Sequence, residues 1–403
     1  MAAEQASLLD ARPRPAEPEE VTSRRRWAAP PVLRPLALYG VSRLVVLLAA
    51  LPAAFRGDPG IGPWPEIQGG SAVTRLFAQW DGAWYLWVAG RGYPPAGEYY
   101  HHLSDYAFFP VFPALVRGLS ACTGLSLLHA AIVLAFVFGA VATVLVWYLA
   151  IRLVGPGKAN RAVALFVFFP GAFVLSMAYA ETVMIAAAAA CLLFLLDRRW
   201  VLAGLAGAVA TASRPNGIVV LIACVIVAAV VIVRRRDWSA LSAPAIAACG
   251  VGSFFAYLWI HTGHAMAWFE SERTMWHDHL SIGAPILRHL GGVITKPPTS
   301  LDSGRLNDLI ADIGVVFVIA ALVWVFRSGW PVSVRAYTAA ALIVPTLSNA
   351  VGPRPRMLLA AFPLAVLGAG RLSSRAYNVV LATSVFLFVA LTYVTTTSLA
   401  AVP

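Results

Sequence analysis

The sequence predicts an all-α, polytopic helical membrane protein, and three observations carry that prediction. Of the 403 residues, 60% are apolar and only 12% are charged, against about 45–50% and about 25% in soluble globular domains. Mean hydropathy is +0.75. The apolar residues also gather in blocks of about 17–25, the length a helix needs to cross about 30 Å of hydrocarbon. This composition excludes a soluble enzyme. The cysteines Cys122, Cys191, Cys224 and Cys249 form no CxxC pair and read as packing residues.

In chain order, residues 1–32 are rich in Pro, Glu and Arg and carry Arg24-Arg25-Arg26. They lack the apolar stretch of a cleavable signal, so they read as a disordered cytoplasmic tail. Residues 33–403 read as a single transmembrane domain. Its first helix spans 34–55, where Arg43 is costly and is expected to face a cavity or snorkel. A long loop over 56–126 follows. Within it, 106–120 is apolar but broken by Pro110, Pro113 and Arg117, as in a helix lying in the interface or re-entering it. Apolar runs then place helices at 127–151, 161–178, 181–196, 201–213, 217–233 and 241–260. A second long loop covers 261–306, and helices at 307–326, 336–350, 357–369 and 377–397 complete about eleven crossings.

Orientation follows from basic residues, because Lys and Arg are retained on the cytoplasmic side of short loops. Arg12, Arg14, Arg24, Arg25, Arg26 and Arg34 place the N-terminus in the cytoplasm. Strict alternation then puts Arg152/Lys158/Arg161, Arg198/Arg199, Arg234–Arg236, Arg327/Arg335 and Arg371/Arg375 on that same side. The same parity puts outside the loops 56–126 and 261–306 and the turns Ser213-Arg214-Pro215-Asn216-Gly217 and Gly352-Pro353-Arg354-Pro355-Arg356. Any chemistry is therefore expected outside the cytoplasm. The net charge of +11 lies mostly on the cytoplasmic membrane face, which fits anionic lipid and not nucleic acid.

The first outer loop contains Phe77-Ala78-Gln79-Trp80-Asp81-Gly82-Ala83-Trp84-Tyr85-Leu86-Trp87. Its aromatics are expected to stripe one side of a helix at headgroup level, with Asp81 in their midst. A half-desolvated carboxylate there is expected to be a stronger proton acceptor than one in bulk water. The plainer alternative is an Asp capping an amphipathic helix. Arg214, Arg354 and Arg356 break the charge rule in short outer turns. Guanidinium suits a pair of phosphate oxygens, while lipid headgroups or helix ends are the alternative partners. Glu181 is a favourable acid near a helix N-terminus. Trp276-His277-Asp278-His279, with His261 and His264, matches no standard zinc spacing and reads as a solvated loop, so no metal is expected.

Trp80-Asp81-Gly82-Ala83-Trp84-Tyr85-Leu86-Trp87-Val88-Ala89, then Gly92-Tyr93-Pro94 and Tyr106-Ala107-Phe108-Phe109-Pro110-Val111-Phe112-Pro113, resemble the signatures of PIG-V-type mannosyltransferases. These are the second mannosyltransferases of GPI-anchor synthesis and their bacterial relatives. Phe169-Pro170-Gly171-Ala172-Phe173 with Ser176, Ala178-Tyr179-Ala180-Glu181, Ser213–Gly217, Arg356-Met357-Leu358 and Phe362-Pro363 continue the set in order, so that the resemblance spans about residues 35–370. The family usually has Ser where this chain has Ala180 and Pro215. The resemblance implies a GT-C-like membrane glycosyltransferase that moves mannose from polyprenyl-phosphate-mannose, with inversion to an α-mannoside, onto an extracytoplasmic glycolipid or glycan acceptor.

That reading makes Asp81 the base and Arg214, Arg356 and Arg354 the holders of the donor phosphate. Trp80, Tyr85, Glu181 and Asn216 stand on the motifs as substrate contacts, with Asp105 and His277 as further candidates. The leaving phosphate diester is a weak base, so a single carboxylate with cationic support suffices, without cofactor or divalent metal. An Ala/Val/Arg-rich composition fits a high-GC bacterium, hence a bacterial polyprenol and the plasma membrane. The rival function is a transporter or flippase of a lipid-linked sugar. It would place functional charges near the bilayer midplane and often shows repeated halves, whereas the acids here collect at the outer rim and no internal repeat is evident.

Overall fold

The computed structural model describes residues 32–55, 70–101, 103–281, 291, 303–349 and 352–397. The expected tail over 1–32 lies outside them except for its last residue, as do stretches of both long loops. Among the described residues every named regular element is helical, with one isolated antiparallel bridge between Leu280 and Ser348. Among the described residues, six helices are long and apolar enough to cross a membrane: Leu33–Phe55, Leu127–Val154, Pro215–Arg235, Trp238–Thr262, Leu306–Phe326 and Ser374–Thr397. The protein is a multi-pass helical membrane protein.

In chain order the α-helices are α1 (Leu33–Phe55), α2 (Ala72–Leu76), α3 (Asp81–Arg91), α4 (Val111–Thr123), α5 (Leu127–Val154), α6 (Pro156–Val167), α7 (Glu181–Leu196) and α8 (Trp200–Ser213). They continue as α9 (Ile218–Arg235), α10 (Ser242–Thr262), α11 (Ala267–Met275), α12 (Ser303–Phe326), α13 (Val332–Ile343), α14 (Pro355–Leu358), α15 (Pro363–Arg371) and α16 (Ser374–Thr397). Three expected crossings are not single helices. The run 161–178 stops at Val167 and continues as irregular chain with a 3-10 turn at Ala172–Ser176, because Pro170 and Gly171 interrupt it. Likewise 336–350 is α13 plus a 3-10 turn at Val344–Leu347, with Pro345 at the break, and 357–369 is split before Pro363.

Irregular backbone inside an apolar bundle must have its carbonyls satisfied, and here Arg43 supplies the donors. Its side chain is buried and donates to the carbonyls of Ala172 at 2.9 Å and Val167 at 3.3 Å and to the Ser176 hydroxyl at 2.9 Å. The guanidinium also lies over the rings of Tyr39 and Phe388. Arg43 thus neither snorkels nor faces an open cavity; it ties α1 to the broken segment. Arg43→Met is expected to cost about 3 kcal/mol, since buried acceptors are left without partners. Thermal unfolding of the detergent-purified protein checks this, and an unchanged melting temperature would contradict it.

Tight packing aligns the helices that carry the site. The chain α7–α8–α10 packs side by side, and small residues let the backbones approach. A Cβ on Gly250 would overlap the carbonyl of Ala208, and the Thr211 hydroxyl donates to Ala247 O at 2.7 Å. The turns sort into two groups. At one end, Arg152 pairs with Asp197, Lys158 donates to Gly370 O, Arg371 to Arg327 O, and Tyr377 to Arg161 O. The turns at 181, 214 and 356 meet at the other end. This is the alternation read from the basic residues.

Candidate active site

Asp81, Glu181, Arg214 and Arg356, brought from four separate segments, form one cluster. The sequence between Phe77 and Gly82 sets the first corner. Ala178 N–H donates to Phe77 O at 2.7 Å and Tyr179 O–H to Gln79 O at 3.2 Å, which docks this segment against residues 178–179 just before α7. Trp80 takes a positive φ of 58°, a conformation that costs a non-glycine residue energy, and α3 starts at Asp81 immediately after it. Ala83, Tyr85 and Leu86 of α3 are packed in one apolar cluster with Phe108, Phe112, Ala178 and Ala180.

This packing corrects the expected aromatic stripe. Phe77 and Trp80 precede the helix. Trp84 stacks on Phe108, with ring centroids 5.7 Å apart, while Tyr85 is buried against Phe108 and Phe112. Trp87 donates its indole N–H to Asp105 at 3.1 Å. At about 100° per residue Tyr85 is turned about 100° from Trp84 and about 160° from Trp87, so the three rings of α3 do not form one stripe. The segment expected to lie in the interface is a 3-10 turn at Leu103–Ala107 followed by α4, whose Phe112, Pro113 and Val116 are buried.

Glu181 occupies the first turn of α7, as its helix-start character predicts. Arg214 ends α8 in an extended conformation, φ −159°, where Pro215 stops the helix. Arg356 lies in α14, a single turn begun by Pro355. Gly171 lets that turn approach, because a Cβ there would overlap the carbonyl of Pro355. Asn216 Nδ2 contacts Met357 Sδ at 3.1 Å, joining the two arginine turns.

In the cluster, Asp81 Oδ2 lies 2.7 Å from Arg356 Nη2 and 3.9 Å from Arg214 Nη2. Glu181 Oε1 lies 3.2 Å from Arg356 Nε, and its other oxygen pairs with Arg214 Nη1. Arg356 also sits over the Tyr179 ring, 5.1 Å from its centroid. Two carboxylates against two guanidiniums leave no net charge, which is how a buried set of this size is tolerated. Burial would pull the Arg356 guanidinium down, but Asp81 and Glu181 outweigh it and hold it above its ordinary value. Arg214 is raised in the same way, chiefly by Glu181 against burial. Both cations are permanent.

Exposure and hydrogen bonding separate the four. The Asp81 side chain is 24% exposed, whereas those of Glu181, Arg214 and Arg356 are 4%, 7% and 6% exposed. The contacts to Glu181 are ion pairs without hydrogen-bond geometry. Among the described residues, both Glu181 oxygens, Arg214 Nη1 and Arg356 Nε have no hydrogen-bond partner, and neither do the side-chain amide of Gln79 and the indole N–H of Trp80. So much buried polar capacity left open is unusual away from a ligand site. The crevice lined by Glu181, Arg214, Asn216 and Arg356 is closed in this structure, with no room for water between its walls.

Arg354 caps α14, half-buried, one residue from Pro355. Burial and Arg356 lower its pKa, with Asp308 opposing. Asp105 is buried and accepts from the Trp87 indole. His277 is exposed at a positive φ of 51°, and no hydrogen bond or ion pair among the described residues brings it to the cluster. Its neighbours are the participants that sequence reasoning missed. Trp276 packs edge-on to Trp84 and Phe108. Asp278 accepts from the Ser348 hydroxyl at 2.7 Å and Asn349 N–H at 2.8 Å, strapping the second loop to the segment that leads into the Arg354–Arg356 turn. Glu272 is a third carboxyl within electrostatic reach of Asp81. Burial, then Asp278 and Asp81, push its pKa up to about 8, with Arg214 opposing. Its only sequence signal is membership of the same outer loop. Tyr179 was visible only as a motif position.

Two solved structures of ArnT from Cupriavidus metallidurans are similar to this chain. The apo-state structure shares 15% identity at a TM-score of 0.44, over 72% of this chain and 57% of that one. The structure bound to undecaprenyl phosphate shares 15% identity at a TM-score of 0.45, over 68% and 52%. The chain thus spans little more than half the length of those proteins. No family model and no curated protein matches it.

Proposed function

We propose that the protein is an inverting GT-C-class membrane glycosyltransferase, related to the PIG-V-type mannosyltransferases. It transfers mannose from polyprenyl-phosphate-mannose to a glycolipid or glycan acceptor on the extracytoplasmic face of the plasma membrane. The observation that carries this reading is the convergence of Asp81 and Glu181 with Arg214 and Arg356, with their hydrogen-bonding capacity partly open. Those residues lie on sequence blocks up to 275 positions apart, which also carry the family resemblance.

A phosphate diester presents an anionic oxygen pair much as a carboxylate does, and guanidinium accepts either. On donor binding, phosphate replaces Asp81 as the partner of Arg356 and Arg214, and the closed crevice opens. Asp81, the most exposed member, is then released toward the acceptor. The acceptor oxygen attacks the anomeric carbon and its proton passes to Asp81. The bond from that carbon to the phosphate oxygen breaks, and the electron pair leaves with the phosphate, held by the two arginines. Attack from the face opposite the leaving group turns a β-linked donor into an α-mannoside. Glu181 keeps the cations in place and offers oxygens to sugar hydroxyls, with Trp80, Tyr85 and Asn216 beside it. The arginines supply the cationic charge, so this scheme calls for no divalent metal.

The test incubates purified protein with radiolabelled polyprenyl-phosphate-mannose and a membrane lipid extract. Label is expected in one glycolipid class, and it should not be competed away by polyprenyl-phosphate-glucose or polyprenyl-phosphate-arabinose. Competition by one of these reassigns the sugar. Absence of transfer by folded protein from any of the three donors overturns the enzymatic reading in favour of transport.

A further inference from the structure

A second site lies at the end of the bundle remote from the charge cluster. There the last turns of α7 and α9 and the first turn of α13 enclose a groove of about 320 Å³. Arg198, Arg234 and Arg235 stand at its rim, and Leu196, Val227 and Val230 line its wall. Val227 and Arg234 are seven residues apart on α9, about 10 Å along the axis. The groove is therefore cationic at the bundle end and apolar about a helical turn or two deeper, the profile of a lipid headgroup above its acyl chain.

Arg198 is within electrostatic reach of Asp237, but none of the three arginines forms an ion pair with a carboxylate among the described residues. No acid lines the groove. Nearby Asp197 pairs with Arg152 outside it, and Asp237 accepts from the Trp200 indole and from Ser239. Among the described residues, Arg234 and Arg235 form no ion pair. Arg198 is held at a positive φ of 56°, a position that Gly or Asn would occupy with less strain. Ser333, only 4% exposed, lines the groove in the first turn of α13, a helix without a side-chain cap. Its hydroxyl makes no hydrogen bond among the described residues, so it and the first-turn N–H groups are positioned to donate to an anion.

We propose that this groove binds one anionic glycerophospholipid from the leaflet facing this end, with its phosphate among Arg198, Arg234, Arg235 and Ser333 and an acyl chain along Val227 and Val230. The site is separate from the charge cluster, and its occupancy does not depend on the transfer reaction. A bound lipid touches α7, α9 and α13 together, so it is a structural ligand.

The test measures thermal unfolding of the full chain in a zwitterionic detergent, titrated with phosphatidylglycerol, phosphatidylcholine or inorganic phosphate. Phosphatidylglycerol is expected to raise the melting temperature saturably, and phosphatidylcholine and inorganic phosphate are not. At about fivefold per arginine, the combined Arg198→Gln, Arg234→Gln and Arg235→Gln substitutions should weaken the response on the order of a hundredfold. Should that variant fail to fold, Val230→Trp fills the groove with every arginine retained and should also abolish saturation. Equal effects of phosphatidylglycerol and phosphatidylcholine, equal effects of phosphatidylglycerol and inorganic phosphate, or an undiminished response in Val230→Trp overturns the proposal.

Discussion

Asp81→Asn is expected to lower sugar transfer by about 10²–10⁴-fold, the contribution of a positioned general base, while the protein inserts and folds as before. The amide keeps the shape of the side chain and its oxygen can still accept from Arg356, which also retains Glu181 at 3.2 Å. With 24% of the Asp81 side chain exposed, little desolvation is left unrequited by the change. The loss should therefore appear in kcat with donor affinity nearly unchanged or improved, because the carboxylate no longer competes with the donor phosphate for Arg356. Asp81→Glu separates chemistry from charge. It restores the carboxylate one methylene further out, and partial activity is expected. Near-normal transfer by the Asn variant would remove Asp81 from the role of base.

Glu181→Gln is expected to produce the largest loss of stability, about 3–5 kcal/mol, the usual cost of stranding one member of a buried ion pair. Its side chain is 4% exposed, and Arg214, left behind, is 7% exposed with Asp81 3.9 Å away as its remaining carboxylate. Thermal unfolding in detergent measures the loss. Pairing the change with Arg214→Met removes both charges together. The double variant should recover much of the melting temperature without recovering transfer, because a phosphate-holding guanidinium has gone. If Glu181→Gln melted like the parent protein, the cluster would be more hydrated than its burial indicates.

Much of this molecule could be read before it was seen. The helices at 34–55, 127–151, 217–233, 241–260, 307–326 and 377–397 fall within a few residues of observed ones, since long apolar runs leave the backbone no better solution in lipid. The helix breaks at Pro170-Gly171, Pro345 and Pro363 were written in the same runs. They were overridden there by length and hydropathy, which do not report where a chain can afford irregular backbone. Arg43 is the clearest instance. Its cost in a membrane helix was legible, but the unpaired carbonyls that make it necessary belong to residues 167–176.

By itself the sequence determined the membrane class, the alternation of turns between two ends, and the presence of an acid at position 81 with arginines in turns of the same parity. These depend on local quantities: hydropathy over a helix length, charge beside a helix end, and proline or glycine in a turn. Tertiary structure alone decided that Arg214 and Arg356 are already paired with Asp81 and Glu181, that Glu272 stands within electrostatic reach of Asp81, and that Asp105 accepts from the Trp87 indole. It also decided that Arg198, Arg234 and Arg235 surround a groove. Electrostatic partnership falls off over a few ångströms, and no local pattern states which of several distant charges will be brought that close.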